Sequence, residues 1–186
     1  MSKLDLRPAR RADAGDLIAA NRDSRAHHRP FVEPFTDEAG FDAWFDGLVT
    51  GANVGLVARD AESGRIVGVV NLSQIFLKGF RSAYLGYYGM RGFSGRGLMT
   101  EAVRLATRFA FDAVGLHRVE ANIQPDNHRS IALVKRLGFR LEGFSPRYLM
   151  VGGAWRDHER WALLSDEVTA ATEARSVPSA ATDRLD

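Results

Sequence analysis

The segment Ser94–Thr100 has the residue types and spacing of a phosphate-binding turn. It follows a strand-like run over 83–90 and opens a strongly amphipathic helical pattern. A chain that enters a helix through glycines leaves several backbone N–H groups unpaired, and that end also carries the positive pole of the helix dipole. The segment therefore predicts a site for a phosphate or pyrophosphate group, with a plain glycine turn as the alternative.

Other motifs of this kind do not fit the segment. A Walker A loop ends in a Gly-Lys-Ser/Thr sequence, which the chain lacks. A dinucleotide-binding fingerprint needs a third glycine where this chain has Thr100. A nucleophile elbow needs one more residue than Gly92-Phe93-Ser94-Gly95 supplies. None of these three motifs therefore identifies the segment, and the plain glycine turn stays open as the alternative to a phosphate site.

A second pattern lies downstream, over 120–139. It predicts a strand, a turn with Asn127, a short helix with Ser130, and a glycine stop before a further strand. The order and spacing of the two patterns resemble those of the GNAT superfamily of acyl-CoA N-acyltransferases. The resemblance covers about 4–166 and is closest to the RimJ/RimL branch, the ribosomal-protein-alanine N-acetyltransferases. The segments that carry it are 95–102, His117-Arg118, 137–143, Trp155-Arg156-Asp157-His158 and Arg29-Pro30-Phe31.

The resemblance implies an α/β fold of the α+β type, with a mixed, mostly antiparallel sheet, a splayed parallel pair of strands and helices on both faces. The pantetheine arm of acetyl-CoA, the cosubstrate, would lie between the splayed strands, here 82–90 and 117–124. Backbone groups of these strands and of the glycine turn would bind it. The implied cofactor-binding residues are Tyr88, Gly89, Met90, Gly95, Arg96, Gly97, Leu98, Met99, Thr100, Asn127 and Ser130.

Acylation of an amine by a thioester needs a neutral amine, a polarised carbonyl and a proton for the leaving thiolate. The chain has no cysteine, which excludes an acyl-cysteine intermediate and favours direct transfer. The resemblance assigns the proton to Ser130, with a helix-cap hydrogen bond as the alternative, and a backbone N–H near Met90 could polarise the carbonyl.

The general base is the least defined catalytic group. Glu120 and Asn122 share one face of a predicted strand that lines the cleft. Related enzymes carry a glutamate at the position of Asn122 or of Leu149, and both departures leave two hypotheses open. Either Glu120 polarises a water relay, or the reaction uses no strong base. The candidate catalytic residues are Ser130, Glu120 and Asn122.

Hydrophobic periodicity and turn chemistry predict the elements that position these residues. Gly86 and Gly89 predict a bulge or a close approach in the strand before the turn. An apolar stripe of helical spacing predicts core packing by Phe41, Trp44, Phe45 and Leu48. Strands are predicted over 4–8, 54–59, 66–76, 82–90, 117–124, 139–151 and 154–164, and helices over 12–23, 97–113, 128–137 and from an N-cap at Thr36.

Composition bounds the remaining choices. The 186 residues fit one domain, expected over 1–166, with a disordered tail over 167–186. The formal charge of +2 argues against a nucleic-acid partner, and no apolar run suggests a membrane partner or a signal peptide, so a cytoplasmic protein is expected. His27-His28 lacks a third ligand, so no metal is expected.

The leading functional hypothesis is an acetyl-CoA-dependent N-acetyltransferase that acts on the N-terminal α-amine of a protein, ribosomal by resemblance. The alternatives are acetylation of a small amine, an aminoacyl toxin or an antibiotic, and a non-catalytic acyl-CoA sensor. The expected partners are CoA, the acceptor and a second copy of the chain, which would form a homodimer through the final strands.

Overall fold

In the computed structural model, residues 3–168 are described. The strands are β1 (Leu4–Pro8), β2 (Val54–Asp60), β3 (Ile66–Phe76), β4 (Ser82–Gly89), β5 (Arg118–Ile123), β6 (Arg140–Val151) and β7 (Ala154–Leu164). The helices are α1 (Ala14–His28), α2 (Glu38–Thr50), α3 (Leu98–Arg108), extended by a π turn over Phe109–Ala113, and α4 (His128–Arg136). Every predicted strand and helix is present, with shifts at the ends.

The two largest shifts lie at the first two helices. Helix α1 continues to His28 because polar residues, Asn21, Ser24 and His28, take the buried positions of its last turns, where apolar periodicity gave no signal. The N-cap predicted at Thr36 is wrong: the carboxylate of Asp37 accepts the Gly40 N–H at 2.8 Å and begins α2.

The seven strands form one sheet in the order β1-β2-β3-β4-β5-β7-β6. All neighbouring pairs are antiparallel except β4 and β5, which run parallel. This arrangement confirms the predicted mixed, mostly antiparallel sheet with one parallel pair. The connection between the parallel strands contains the glycine turn and α3. The predicted phosphate-binding segment therefore follows directly after the central strand, β4.

Helices cover both faces of the sheet. The Trp44 indole of α2 donates to Asn71, whose register partner on β4 is Gly86. Met99 of α3 lies against Gly89, three residues further along β4. Side chains alternate along a strand, so α2 and α3 lie on opposite faces, called here the α1–α2 face and the α3–α4 face.

The predicted apolar stripe packs into the core on the α1–α2 face. Phe41 is 1% exposed, and Phe45 stacks on it with 5.6 Å between ring centroids. Phe35, which precedes the helix, meets the Phe41 ring edge-on at 5.5 Å. The predicted tail over 167–186 lies almost wholly outside the described residues, although Glu167 is described and forms an ion pair with Arg140 at 2.9 Å.

Candidate functional site

A gap opens between β4 and β5. The two strands pair only at their starts, where Ser82, Ala83 and Tyr84 oppose Arg118, Val119 and Glu120. Beyond this point β4 stays paired with β3 to Gly89, and β5 stays paired with β7 to Ile123. The edges that the two strands turn toward each other are therefore free of strand pairing, as the predicted splayed pair requires.

The backbone of β4 decides which groups face the gap. The N–H of Met90 donates to the Val67 carbonyl at 2.8 Å, so it points toward β3 and away from β5. Backbone groups alternate between the two edges of a strand, so those of Tyr88 also face β3, whereas those of Tyr87 and Gly89 face the gap. The expectation that an N–H near Met90 polarises the carbonyl is thus wrong for Met90 itself, and Gly89 is the donor that faces the gap.

The same alternation corrects the strand-like contacts expected for Tyr88 and Met90. Of Tyr88, Gly89 and Met90, only Gly89 can offer backbone atoms to a molecule in the gap. The backbone of Tyr87 can do the same. The Gly89 carbonyl already accepts a hydrogen bond from His28 Nε2 at 3.1 Å. The free backbone groups of β4 at the gap are therefore the Gly89 N–H and the amide groups of Tyr87.

The glycine turn presents its N–H groups to solvent. Gly95 and Gly97 both adopt the left-handed conformation, with φ of 76° and 75°, which L side chains avoid. The first hydrogen bond of α3 runs from the Glu101 N–H to the Gly97 carbonyl at 3.1 Å. Within residues 3–168, no hydrogen bond uses the N–H groups of Arg96, Gly97, Leu98, Met99 and Thr100.

The side chains of Leu98 and Met99, next to this turn, pack against the core and the sheet. Leu98 is buried in the core, and Met99 packs over Gly89 and its register partner Gly68. The predicted close approach at Gly89 is confirmed, because an added methyl group would lie 2.7 Å from Met99 Cγ. Gly86 shows no such contact and no bulge, since an added methyl group there would meet nothing within 4 Å.

Arginine side chains flank the turn. The guanidinium groups of Arg96 and Arg65 lie over the Phe93 ring, 5.3 and 5.5 Å from its centroid. Hydrogen bonds from Ser63 lower the pKa of the nearby Asp60 carboxyl, and the charges of Arg96 and Arg65 lower it further. Arg65 was missed by sequence reasoning because it lies about 30 residues before the turn and carries no local motif. The turn is therefore positively charged as well as rich in N–H donors.

Ser130 lies in the first turn of α4 on the α3–α4 face. Its N–H donates to the Asn127 side chain at 3.2 Å, so Asn127 acts as the N-cap of the helix. Its Oγ lies 2.6 Å from the hydroxyl of Tyr87, which sequence reasoning did not single out. Burial raises the pKa of Tyr87 to about 12, against a smaller opposing effect of the hydrogen bond to Ser130.

Glu120 and Asn122 lie on the opposite face. Glu120 opposes Tyr84, three residues before Tyr87 on β4, so its side chain is on the α1–α2 face. Its carboxylate accepts from Arg118 Nε at 2.8 Å, and the same guanidinium binds Glu142. The Asn122 Oδ1 atom is buried without a hydrogen-bond partner among the described residues. The candidate catalytic residues thus form two groups, one on each face of the sheet.

The segment after α1 closes one end of the gap. His28, 4% exposed, binds the end of β4, and the Gln124 side chain after β5 donates to the Phe31 carbonyl at 3.4 Å. Burial lowers the pKa of His28. A cavity of about 140 Å³ adjoins this segment; it is lined by Asn21, Arg25, His28, Arg29, Val32, Glu33, Pro34 and Thr36. The end of α1 therefore contacts β4 through His28, and the segment 29–31, expected near the acceptor, contacts Gln124 directly after β5.

The last strands hold residues with structural contacts. The Asp157 carboxylate accepts the Arg147 N–H at 2.7 Å, where the β6–β7 register shifts, and His158 Nδ1 lies 3.0 Å from the Arg156 carbonyl. Both side chains therefore make contacts within β6 and β7. Leu149, where related enzymes carry a glutamate, is 42% exposed.

The residues present fit a CoA molecule. Free N–H groups and two arginines suit the pyrophosphate, and the unpaired backbone edges of β4 suit the amide-rich pantetheine arm. An added methyl group on Gly86 would meet nothing within 4 Å, so β4 leaves room for a bound molecule at this position. In the part of the chain that is described, no group of three or more His, Cys, Asp or Glu residues could hold a metal ion, and no helix is long and apolar enough to cross a membrane.

Several known proteins are similar to this chain in sequence or in fold. The chain is 40% identical over 110 residues to the ribosomal protein uS5-alanine N-acetyltransferase of Escherichia coli, a match that covers 59% of this chain and 57% of that relative. Mycobacterium smegmatis RimJ, solved in complex with CoA-disulfide, superposes with a TM-score of 0.80 at 30% identity, covering 92% of this chain and 89% of that chain. The spermidine N-acetyltransferase of Vibrio cholerae, solved with CoA and spermine, gives a TM-score of 0.77 over 91% of this chain and 99% of that chain; at 22% identity, that likeness shows the fold alone.

A family model described as the acetyltransferase (GNAT) domain matches residues 3–140, most of the described chain. The mostly antiparallel sheet with one parallel pair of strands and its helices agree with that match. The chain therefore belongs to the GNAT acetyltransferase domain family.

Proposed function

We propose that this chain transfers the acetyl group of acetyl-CoA directly to a primary amine, and that the amine is the N-terminal α-amine of a ribosomal protein. One observation carries the proposal. The free N–H groups at the start of α3 and the unpaired edge of β4 belong to consecutive segments of the chain. Together they offer one continuous site for the pyrophosphate and pantetheine parts of CoA.

The two faces of the sheet divide the chemistry. The cosubstrate supplies an activated thioester, and the Gly89 N–H is the backbone donor that can polarise its carbonyl from the gap. The amine enters from the α1–α2 face, where Glu120 and the segment 29–31 lie. On the other face, Ser130 donates a proton to the leaving sulfur. The absence of cysteine supports a single direct transfer step.

The acceptor is proposed from the relatives. The protein that is 40% identical to this chain over 110 residues is named for acetylating the alanine of ribosomal protein uS5. The matched region spans only 57% of that relative, so its substrate is a proposal for this chain. An α-amine also suits a weak base, since its pKa is near 8, about two units below that of a lysine side chain.

The test measures acetyl-CoA turnover, which is monitored through the release of the CoA thiol. One set of acceptors is peptides with a free Ala or Ser at the N-terminus, with the same peptides blocked by N-terminal acetylation as controls. A second set is small amines, including spermidine and aminoacyl nucleotides. We expect turnover of the free peptides only. Turnover of the small amines alone would move the assignment to a small acceptor, and CoA binding without any turnover would favour a sensor.

A further inference from the structure

Among the described residues, the hydroxyl of Tyr87 makes the one side-chain hydrogen bond to Ser130 Oγ, at 2.6 Å. Tyr87 belongs to β4 and Ser130 to α4, so this contact joins a gap-lining strand to the helix beside it. We propose that Tyr87 is a positioning residue that orients the Ser130 hydroxyl toward the sulfur of CoA. This inference rests on the proposed function and adds a residue to it.

The direction of the hydrogen bond follows from the chemistry of the two groups. A serine hydroxyl has one hydrogen and two lone pairs, so it can donate to a thiolate only if that hydrogen is not given to Tyr87. A phenol is the better donor of the two. Because burial raises the pKa of Tyr87 to about 12, its hydroxyl keeps its proton near neutral pH and can donate to Ser130 Oγ. The hydrogen of Ser130 is then free for the sulfur.

A second contact fixes the serine from the backbone side. The Asn127 side chain accepts the Ser130 N–H at 3.2 Å, which holds the first turn of α4. The Tyr87 hydroxyl lies also 3.4 Å from the Ser130 carbonyl, a weaker alternative acceptor than Oγ. Asn127 therefore sets the position of the backbone, and Tyr87 sets the rotation of the hydroxyl.

The proton balance is complete without ionising Tyr87. The amine nitrogen forms a bond to the carbonyl carbon, the C–S bond breaks, and its electron pair goes to sulfur. Sulfur takes the proton of Ser130, and water that carries the proton released by the amine returns one to Ser130 Oγ. Tyr87 keeps its own proton throughout and stabilises the negative charge that develops on Oγ.

A double-mutant cycle tests the proposal. We would measure kcat and KM for acetyl-CoA with the full chain carrying Tyr87→Phe, Ser130→Ala and both. We expect each single variant to lower kcat by about 10- to 100-fold with little change in KM. The double variant should be no slower than Ser130→Ala alone, because Tyr87 acts through Ser130. Unchanged kcat for Tyr87→Phe, or losses that multiply, would overturn the proposal.

Two further measurements separate a positioning role from a structural one. In a Ser130→Thr background, which keeps the hydroxyl, Tyr87→Phe should again lower kcat; no effect there would count against the proposal. The pKa of the thiol of bound CoA, followed by thiolate absorbance, should rise in Tyr87→Phe as in Ser130→Ala, and this readout needs no acceptor. An unchanged thiol pKa would overturn the role of Tyr87, whereas failure of the wild-type chain to bind CoA would overturn the proposed function itself.

Discussion

At the residue scale, the site depends on where backbone N–H groups point more than on side-chain identity. Gly95 and Gly97 hold the left-handed conformation, and the side chains of Leu98 and Met99 turn into the core or onto the sheet. Among residues 3–168, no hydrogen bond uses the five consecutive N–H groups over 96–100. The turn therefore tolerates a large apolar residue at Met99, since that side chain contacts the sheet and leaves the backbone donors unchanged.

Gly97→Ala tests this role of the backbone. A left-handed alanine costs about 1–2 kcal/mol, so the turn should relax and redirect its N–H groups. We expect the Kd for CoA, measured by calorimetry, to rise about 10-fold, equivalent to 1.4 kcal/mol. Gly153→Ala is the matched control, because Gly153 has a φ of 75°, meets nothing within 4 Å and lies in the β6–β7 turn. Equal losses of CoA affinity in the two variants would contradict the prediction.

A comparison with Glu142 distinguishes a catalytic role of Glu120 from its ion pair with Arg118. Both carboxylates bind the Arg118 guanidinium, and hydrogen bonds from it lower the pKa of Glu142. If Glu120 polarises a water on the amine side, Glu120→Gln should lower kcat by about 100-fold and change its pH profile. Glu142→Gln should leave kcat within about 2-fold and change only stability. An unchanged rate and pH profile for Glu120→Gln would contradict the hypothesis that Glu120 polarises a water.

At the element scale, the first helix is fixed at both ends. Its C-terminal turn binds β4 through His28 and the turn after β4 through Ser24, which accepts the Arg91 N–H at 3.1 Å. Its N-terminus is held by Asp13, whose side chain is 4% exposed. Asp13 accepts hydrogen bonds from Arg7 on β1 and Arg59 on β2. The helix is therefore held rigidly across one end of the gap.

Asp13→Asn should weaken this attachment. Burial would raise the pKa of Asp13, but hydrogen bonds from Arg7, from the Arg10 N–H and from Arg59 outweigh it and hold the pKa well below its usual value. We expect the free energy of unfolding to fall by about 3 kcal/mol, because the buried Asp13 carboxylate is the counter-charge of two partly buried guanidinium groups. Asp16→Asn is the control: Asp16 also binds Arg59, but its side chain is 64% exposed, and the change should be within about 0.5 kcal/mol.

The pH dependence of the free energy of unfolding tests the same interaction of Asp13 with Arg7 and Arg59. A carboxylate with a lowered pKa stabilises the folded state above its unfolded pKa, here 3.8, and this contribution is lost as the pH falls toward the folded value. The wild-type chain should therefore lose stability below about pH 4 more steeply than Asp13→Asn in denaturant unfolding. Parallel pH curves for the two proteins would contradict this assignment.

At the scale of the whole molecule, the sheet is divided by its own gap. Strands β1 to β4 form one side and β5 to β7 the other, joined by three register pairs at the start of the parallel strands. A CoA molecule in the gap would form backbone hydrogen bonds where strand pairing stops. The homodimer expected through β6 and β7 stays a prediction; Phe144, Met150 and Trp155 are exposed there.

Ligand binding should therefore stabilise the fold. At a CoA concentration of 100 times Kd, linkage adds about 2.7 kcal/mol to the free energy of unfolding. For a chain of this size, that corresponds to a rise in Tm of about 5–10 °C, measured by calorimetry. Adenosine, which lacks the pyrophosphate and the pantetheine arm, is the control and should give little shift. Equal shifts for adenosine and CoA would show that the gap does not contribute.

The sequence by itself determined most of the elements and the glycine turn, because these depend on local spacing, periodicity and turn chemistry, and its resemblance to known motifs indicated the family. The tertiary structure decided which backbone groups of β4 face the gap, and it excluded the Met90 N–H. It also divided Ser130 and Glu120 between two faces and brought Tyr87 to Ser130, 43 residues apart. Register and pleat set these relations between distant segments, and a one-residue shift would reverse every one of them.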